Sequence, residues 1–133
     1  MSVIDLPVSL GEALDKLTIL DIKREKIKDD RLKDVEYEYN LLYEKLKEHI
    51  NTNNYYYSIL KKINLNIWEM QDDFRYNNKN KNHLCLAIIE ENDRRFRIKK
   101  KINDTTNSDV KEQKGYKLKK AFVLSHLGLG DNI

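Results

Sequence analysis

The sequence has few residues that cross-link a chain, bind metal or span a membrane. Cys85 is the single cysteine, so the chain can form no internal disulfide and no thiolate cluster. The histidines, His49, His83 and His126, lack a histidine partner at helical ligand spacing, and we expect no metal site and no cofactor. No run approaches the ~20 apolar residues of a membrane span, and the N-terminus lacks the features of a signal peptide. These absences predict a cytoplasmic chain without a membrane span.

Proline and glycine, which interrupt regular structure, occur only near the two ends. Pro7 and Gly11 lie near the start, and Gly115, Gly128 and Gly130 lie near the end. The long stretch between them therefore favours helices joined by short polar loops. The polar clusters that would form these loops lie at positions 29–30, 51–54, 77–82 and 104–108.

Apolar residues recur in this stretch at intervals of three and four, which is the period of one face of an α-helix. The pattern predicts four helices, over residues 10–28, 31–50, 55–76 and 83–103. Ser9 and Glu12 form a capping box at the start of the first helix. The second and third helices keep a strict 3.5-residue period, which is typical of antiparallel hairpins or coiled coils. We therefore predict an all-α helical module over residues 1–115, as a four-helix antiparallel bundle or as paired helical hairpins.

The fourth predicted helix has polar side chains in the middle of its apolar face. At 100° per residue, Glu91, Asn92 and Arg95 fall on the same face as the helix's leucine and isoleucine residues. A buried charge without a partner is costly, so these side chains should meet opposite charges or hydrogen-bonding groups. The first helix offers candidate partners, namely Glu12, Asp15, Lys16, Asp21 and Arg24.

Two interpretations of this polar cluster remain open. It is either a polar layer that fixes the register of the helices, or a ligand pocket built on Asn92, Asp93, Arg94 and Arg95. No pair of residues has the spacing of a recognised catalytic dyad. We expect no enzymatic activity from this chain as it stands, because any lobe and cleft that could carry catalysis would lie beyond residue 133.

Charge is distributed unevenly along the chain. Residues 94–120 contain 11 Lys and Arg against 3 Asp and Glu, whereas residues 1–93 contain 14 against 18. A basic segment can attract nucleic acid or an anionic membrane surface. However, the basic residues are not interleaved with exposed aromatic residues, and no nucleic-acid motif is present. Nucleic-acid binding is therefore not favoured.

The C-terminal segment differs from the helical body. Residues 116–120 form a basic tether, and residues 121–133, AFVLSHLGLGDNI, place a short apolar run before two glycines. Such a run predicts a β-strand that enters a tight turn, as in the glycine-rich loop that opens doubly wound α/β domains. We therefore predict that residues 116–133 are a tether and the truncated start of a Rossmann-like lobe. The alternative is a tail that merely turns back or stays disordered.

Two resemblances bear on function. The opening PVSLGEALDKLTILDIKREKI and the later NDRRFRIKKKIN resemble an uncharacterised bacterial helical family, a domain of unknown function, over residues 6–115. That family begins with a Pro-Val-Ser-Leu-Gly-Glu motif and carries an Asn-Asp-Arg-Arg signature on its last long helix. Its members tend to be associated with polysaccharide and glycosyltransfer systems. The tail FVLSHLGLGDNI resembles the first strand and loop of heptosyltransferase-like glycosyltransferases, which implies substrate contacts at Gly128, Gly130, Asp131 and Asn132.

These resemblances imply a non-catalytic accessory or interaction module of a glycosyltransferase or surface polysaccharide system. Its partner would be a glycosyltransferase domain or further copies of this chain in a homo-oligomer. The alternative is a free-standing helical dimerisation or scaffold protein, in which the tail serves only as an arm.

Overall fold

The computed structural model describes residues 2–77 and 81–116. Within these ranges the regular structure is entirely helical and contains no strand, so the predicted all-α bundle is confirmed. The strand-like tail predicted at residues 121–133 lies outside the described residues. The helices are α1 (Leu10–Lys26), α2 (Leu32–Thr52), α3 (Asn54–Tyr76) and α4 (Lys81–Thr105).

The ends of α1 and α4 show how local sequence sets the helix bounds. At the start of α1, the hydroxyl of Ser9 accepts a hydrogen bond from the Glu12 N–H at 3.1 Å. The helix ends at Lys26, two residues before the predicted end, because Ile27 adopts an extended backbone. Beyond α4, Asn107 has a φ of 55°, and the Ser108 N–H bonds to the carbonyl of Asn103 at 2.9 Å. This left-handed residue reverses the chain at the end of α4.

Helices α1 and α3 each contact the other three helices, and the most extensive contact joins α3 and α4. The hydrophobic core consists of Leu14, Leu17, Leu46, Leu60, Ile63, Ile67, Ile98 and Ile102. Helices α2 and α3, which have the strictest 3.5-residue period, contact each other least of the contacting helix pairs. The apolar face of α2 packs mainly on α1, whereas that of α3 packs most extensively on α4 and also on α1. The regular period therefore marks burial against other helices rather than pairing of the two.

Residues 106–116 return along the side of α4. Glu112 reaches the ammonium of Lys99 at 3.0 Å, and the Tyr116 hydroxyl donates to Asp93 at 3.2 Å. Lys99 lies later in α4 than Asp93, so the returning segment runs from the C-terminal end of α4 toward its middle. In the part of the chain that the structure describes, every helix is too short or too polar to cross a lipid bilayer.

Candidate functional site

Helices α1 and α4 approach each other closely at Gly11. The Gly11 N–H donates to the side-chain oxygen of Asn103 at 2.7 Å. A Cβ at Gly11 would lie 2.6 Å from the carbonyl oxygen of Lys99, which is closer than atoms can pack. Glycine is therefore required here because another helix backbone occupies the space of a side chain. This contact joins the PVSLGE opening directly to the NDRRFRIKKKIN segment.

Asp15 is the most deeply buried carboxylate of this contact, with 1% of its surface exposed. Its Oδ1 accepts from Nε of Arg95 at 2.8 Å, and its Oδ2 pairs with Nη2 of the same guanidinium. The side-chain amide of Asn64 on α3 donates to Asp15 at 2.8 Å and to Thr18 at 2.7 Å. The hydrogen bonds to Asp15 raise the pKa of Arg95 above its ordinary value and outweigh the opposite effect of burial.

Lys99 lies one helical turn beyond Arg95 and is also buried. Its ammonium contacts Glu12 at 2.7 Å, Glu112 at 3.0 Å and Asp15 at 3.8 Å. Burial lowers the pKa of Lys99, but the three carboxylates together raise it further, so the net pKa lies above its ordinary value. Burial raises the pKa of Glu112, yet its bonds to Lys99 and Lys114 leave it below its ordinary value. We call Glu12, Asp15, Asn64, Arg95 and Lys99 the ion-pair layer.

The structure brings together only part of the cluster predicted from the sequence. Asp15 and Glu12 of α1 do face α4, where they pair with Arg95 and Lys99. Lys16 does not join them, because its exposed ammonium pairs with Glu38 on α2 at 3.0 Å. Successive helical residues point 100° apart, so the neighbour of Asp15 faces a different helix.

The remaining predicted residues lie along α4 beside the ion-pair layer. Glu91 is buried and pairs with Arg94 of its own helix, and the amide of Asn66 on α3 approaches it at 3.4 Å. Its partners are therefore on α3 and α4 rather than on α1. Among the described residues, the side-chain oxygen of Asn92 accepts a long hydrogen bond, 3.5 Å, from Nη1 of Arg95. The carboxylate of Asp93 accepts a hydrogen bond from the hydroxyl of Tyr116.

Asp21 and Arg24, also considered as partners for α4, lie farther along α1 and make other contacts. Asp21 pairs with Lys61 of α3 at 2.9 Å, and Arg24 pairs with Glu36 of α2 at 3.4 Å. These two residues therefore connect α1 to α2 and α3, outside the ion-pair layer.

The sequence prediction missed Lys99, Asn64 and Glu112. Lys99 was detectable, because it lies four residues after Arg95 and so shares its face. Asn64 falls on the apolar face of α3, between Leu60 and Ile67. Its position on that face was a weaker signal that its side chain is buried. Glu112 follows the last helix in a segment without periodicity, and its place depends on the chain reversal at Asn107.

A cleft of about 400 Å³ opens where α4, the start of α1 and the returning segment meet. It is lined by Glu12, Ile89, Asn92, Arg95, Phe96, Lys99, Glu112, Lys114 and Tyr116. The charged groups on its wall already pair: Arg95 with Asp15, and both Lys99 and Lys114 with Glu112. Within residues 2–77 and 81–116, no group of three or more His, Cys, Asp or Glu side chains is placed to hold a metal ion.

A family of unknown function, DUF6165, matches residues 4–123. The chain belongs to this family. The DUF6165 match includes both segments that meet at Gly11. No curated protein and no solved structure matches the chain significantly.

The second predicted site lies elsewhere in the chain. Gly128, Gly130, Asp131 and Asn132, for which we predicted substrate contacts, lie outside the described residues of this DUF6165 chain. The resemblance of the tail to heptosyltransferase-like enzymes and the module boundary at residue 115 both stay predictions.

Proposed function

We propose that this DUF6165 chain is a non-catalytic helical interaction module that acts in a glycosyltransferase or surface polysaccharide system. The observation that carries the proposal is the N-terminal arm, residues 2–8, which precedes α1. Its apolar side chains, Val3, Ile4, Leu6 and Val8, are between 52% and 74% exposed. Apolar groups concentrated in one exposed segment favour contact with another apolar surface, because that contact removes them from water.

The arm leaves the bundle from a fixed point. Ser9, the residue that follows it, is buried and caps α1. The Leu10 N–H approaches the hydroxyl of Ser108 at 3.4 Å, and Gly11 bonds to Asn103. The contact between α1 and α4 therefore holds the root of the arm, and a binding segment that is held in place loses less entropy when it binds.

The pairing of charges in the ion-pair layer supports a structural role for these residues. Asp15 accepts hydrogen bonds from Arg95 and Asn64, and Lys99 contacts three carboxylates. A general base or a nucleophile needs an accessible, reactive group, whereas these groups are occupied by each other. Of the two interpretations of the cluster, this favours the polar layer that fixes helix register.

The choice of partner rests on the resemblance of the helical segments to a family associated with glycosyltransfer systems. We propose that the arm inserts into an apolar groove on a glycosyltransferase. The described residues contain equal numbers of basic and acidic side chains. They have no excess positive charge with which to bind nucleic acid, since such binding depends on neutralising phosphates.

The test is binding between the purified chain and a purified heptosyltransferase-like glycosyltransferase from the same organism, measured by calorimetry and by light scattering during size-exclusion chromatography. Ile4→Asp combined with Leu6→Asp should weaken binding at least about tenfold, which corresponds to ~1.4 kcal/mol. Tyr55→Asp is the matched control, because Tyr55 is also exposed but lies on α3. The control should bind like the unmodified chain.

Two outcomes would contradict this proposal. Equal affinity of the arm variant and the control would remove the arm from the interface. A stable homodimer that binds no transferase of the system would favour the alternative, a free-standing scaffold protein. Circular dichroism of each variant establishes that the helical bundle is retained.

A further inference from the structure

The first half of α4 exposes an apolar surface to solvent. Leu86 is 63% exposed and Ile89 is 57% exposed, and Cys85 lies beside them. A groove of about 440 Å³ between the end of α3 and this half of α4 is bordered by Phe74, Cys85, Ile88 and Ile89. We call Phe74, Cys85, Leu86, Ile88 and Ile89 the α4 patch.

The returning segment points toward this patch. Glu112 contacts Lys99, and four residues later Tyr116 contacts Asp93, so the chain moves steadily toward the N-terminal end of α4. Ile89 of the α4 patch borders the same cleft as Tyr116. The last described residue therefore lies next to the nearer edge of the patch.

We infer that the apolar run at residues 121–129, AFVLSHLGL, covers the α4 patch of its own chain. From Tyr116, which contacts Asp93, the chain must cover the distance along α4 from Asp93 to Cys85, which is eight helical residues or ~12 Å. The five residues from Tyr116 to Ala121 can span ~17 Å, so the run can reach the patch. The run is rich in large apolar side chains, including Phe122, Val123 and Leu124. Its contact with the patch removes the apolar side chains of the patch from water.

Two further observations favour this occupant. The family match extends through residue 123, so the start of the apolar run belongs to the same family unit as the helices. The run is also tethered to the bundle, and a tethered segment binds at a high effective concentration without a second molecule. The inference does not depend on the proposed function, which rests on the N-terminal arm.

Cys85 provides a direct test, because it is the single cysteine of the chain and it lies in the α4 patch. The test measures the rate at which a disulfide reagent such as dithionitrobenzoate modifies the thiol of the full chain. Phe122→Asp combined with Leu124→Asp should increase this rate about tenfold, because a covered thiol reacts only when the cover opens. Asn132→Asp adds a negative charge beyond the run and should leave the rate unchanged.

Two results would overturn the inference. Equal thiol rates in the unmodified chain and the double variant would show that residues 121–129 do not cover Cys85. A rate for the unmodified chain that rises on dilution would assign the cover to a second copy. Nuclear Overhauser contacts between the Phe122 ring and the Ile89 methyl groups, unchanged on dilution, are expected if the run covers its own chain; their absence would also contradict the inference.

Discussion

The two halves of α4 reverse the usual relation between hydropathy and burial. The first half contains the apolar sequence LCLAII, yet Leu86 and Ile89 are exposed. The second half is dominated by charged residues, yet Glu91, Asp93 and Lys99 are buried there. Both halves are continuous helix, so the difference lies in what each half packs against.

The second half is buried because α1 offers it both a close approach and matching charges. Gly11 allows the α1 backbone to approach Lys99, and Asp15 receives the guanidinium of Arg95. A buried ion pair adds little net stability relative to apolar packing, but a mismatched one is strongly unfavourable. The ion-pair layer therefore selects one register of α1 against α4.

The largest effect should come from placing a charge in the buried half of α4. Ile98 has no exposed surface and belongs to the hydrophobic core, so Ile98→Asp should cost ~3 kcal/mol or more and abolish cooperative unfolding. Leu86→Asp should cost clearly less, because Leu86 lies outside the helical core and the run that we infer covers it can detach without unfolding the bundle. Thermal melts followed by circular dichroism compare the two variants. Similar melting temperatures would mean that the two halves do not differ in burial.

The second largest effect should be a difference in stability between substitutions of two arginines of α4, Arg95 and Arg97. Arg95→Ala leaves the buried carboxylate of Asp15 without its principal partner and should cost ~3 kcal/mol. Nε and Nη2 of Arg97 are buried without a hydrogen-bond partner among the described residues, so Arg97→Ala should cost under ~1 kcal/mol. Urea unfolding measures both free energies. Equal values would show that the pair with Asp15 contributes nothing specific.

The third effect tests the close approach that buries the charged half. Gly11→Ala should cost ~2 kcal/mol, because the new Cβ would meet the Lys99 carbonyl and the two helices must move apart. Gly115→Ala is the control, since nothing lies within 4 Å of a Cβ at that position. Its free energy of unfolding should stay within ~0.5 kcal/mol of the unmodified chain. A tolerated Gly11→Ala would mean that the helices are not held at this distance.

Periodicity was sufficient to predict the four helices, because each has an apolar face of regular spacing. Angular position on the helix predicts that Glu91, Asn92 and Arg95 share the apolar face of α4 and meet partners on α1. Both arguments use only the geometry of a single helix. The structure pairs Arg95 with Asp15 of α1, but the contacts of Glu91 lie on α3 and α4.

The rest of the site depends on how helices cross, which single-helix geometry does not contain. Lys16 shares the sequence neighbourhood of Asp15 but faces α2. Glu91 contacts Asn66 on α3, and the apolar period of α3 predicts no polar partner there for α4. Glu112 reaches Lys99 only because the chain reverses at Asn107, and a non-helical segment leaves no periodic pattern from which to predict its path.

The smallest effect is the pH dependence that the buried half of α4 should contribute. Because the folded chain raises the pKa of Lys99 above 10.5, its ordinary value, the folded state holds this proton more tightly than the unfolded state. The resulting stabilisation is fully present below about pH 10.5 and is lost as pH rises through the folded pKa. Tyr39 and Lys61 also have raised pKa values and lose stabilisation in the same direction.

The contribution of Lys99 is isolated by comparing how steeply the free energy of unfolding changes with pH in two chains, rather than by comparing the free energies themselves. In urea unfolding between about pH 9 and 12, the unmodified chain should lose stability more steeply than Lys99→Met, with a slope difference of up to about one proton. The other alkaline groups are present in both chains and cancel in this difference. Lys100→Met is the matched control, since Lys100 is exposed and, among the described residues, pairs with Asp104 rather than with the ion-pair layer. Equal slopes for the unmodified chain and Lys99→Met would mean that Glu12, Asp15 and Glu112 do not hold the Lys99 ammonium. The charged half of α4 would then be buried for reasons other than ion pairing.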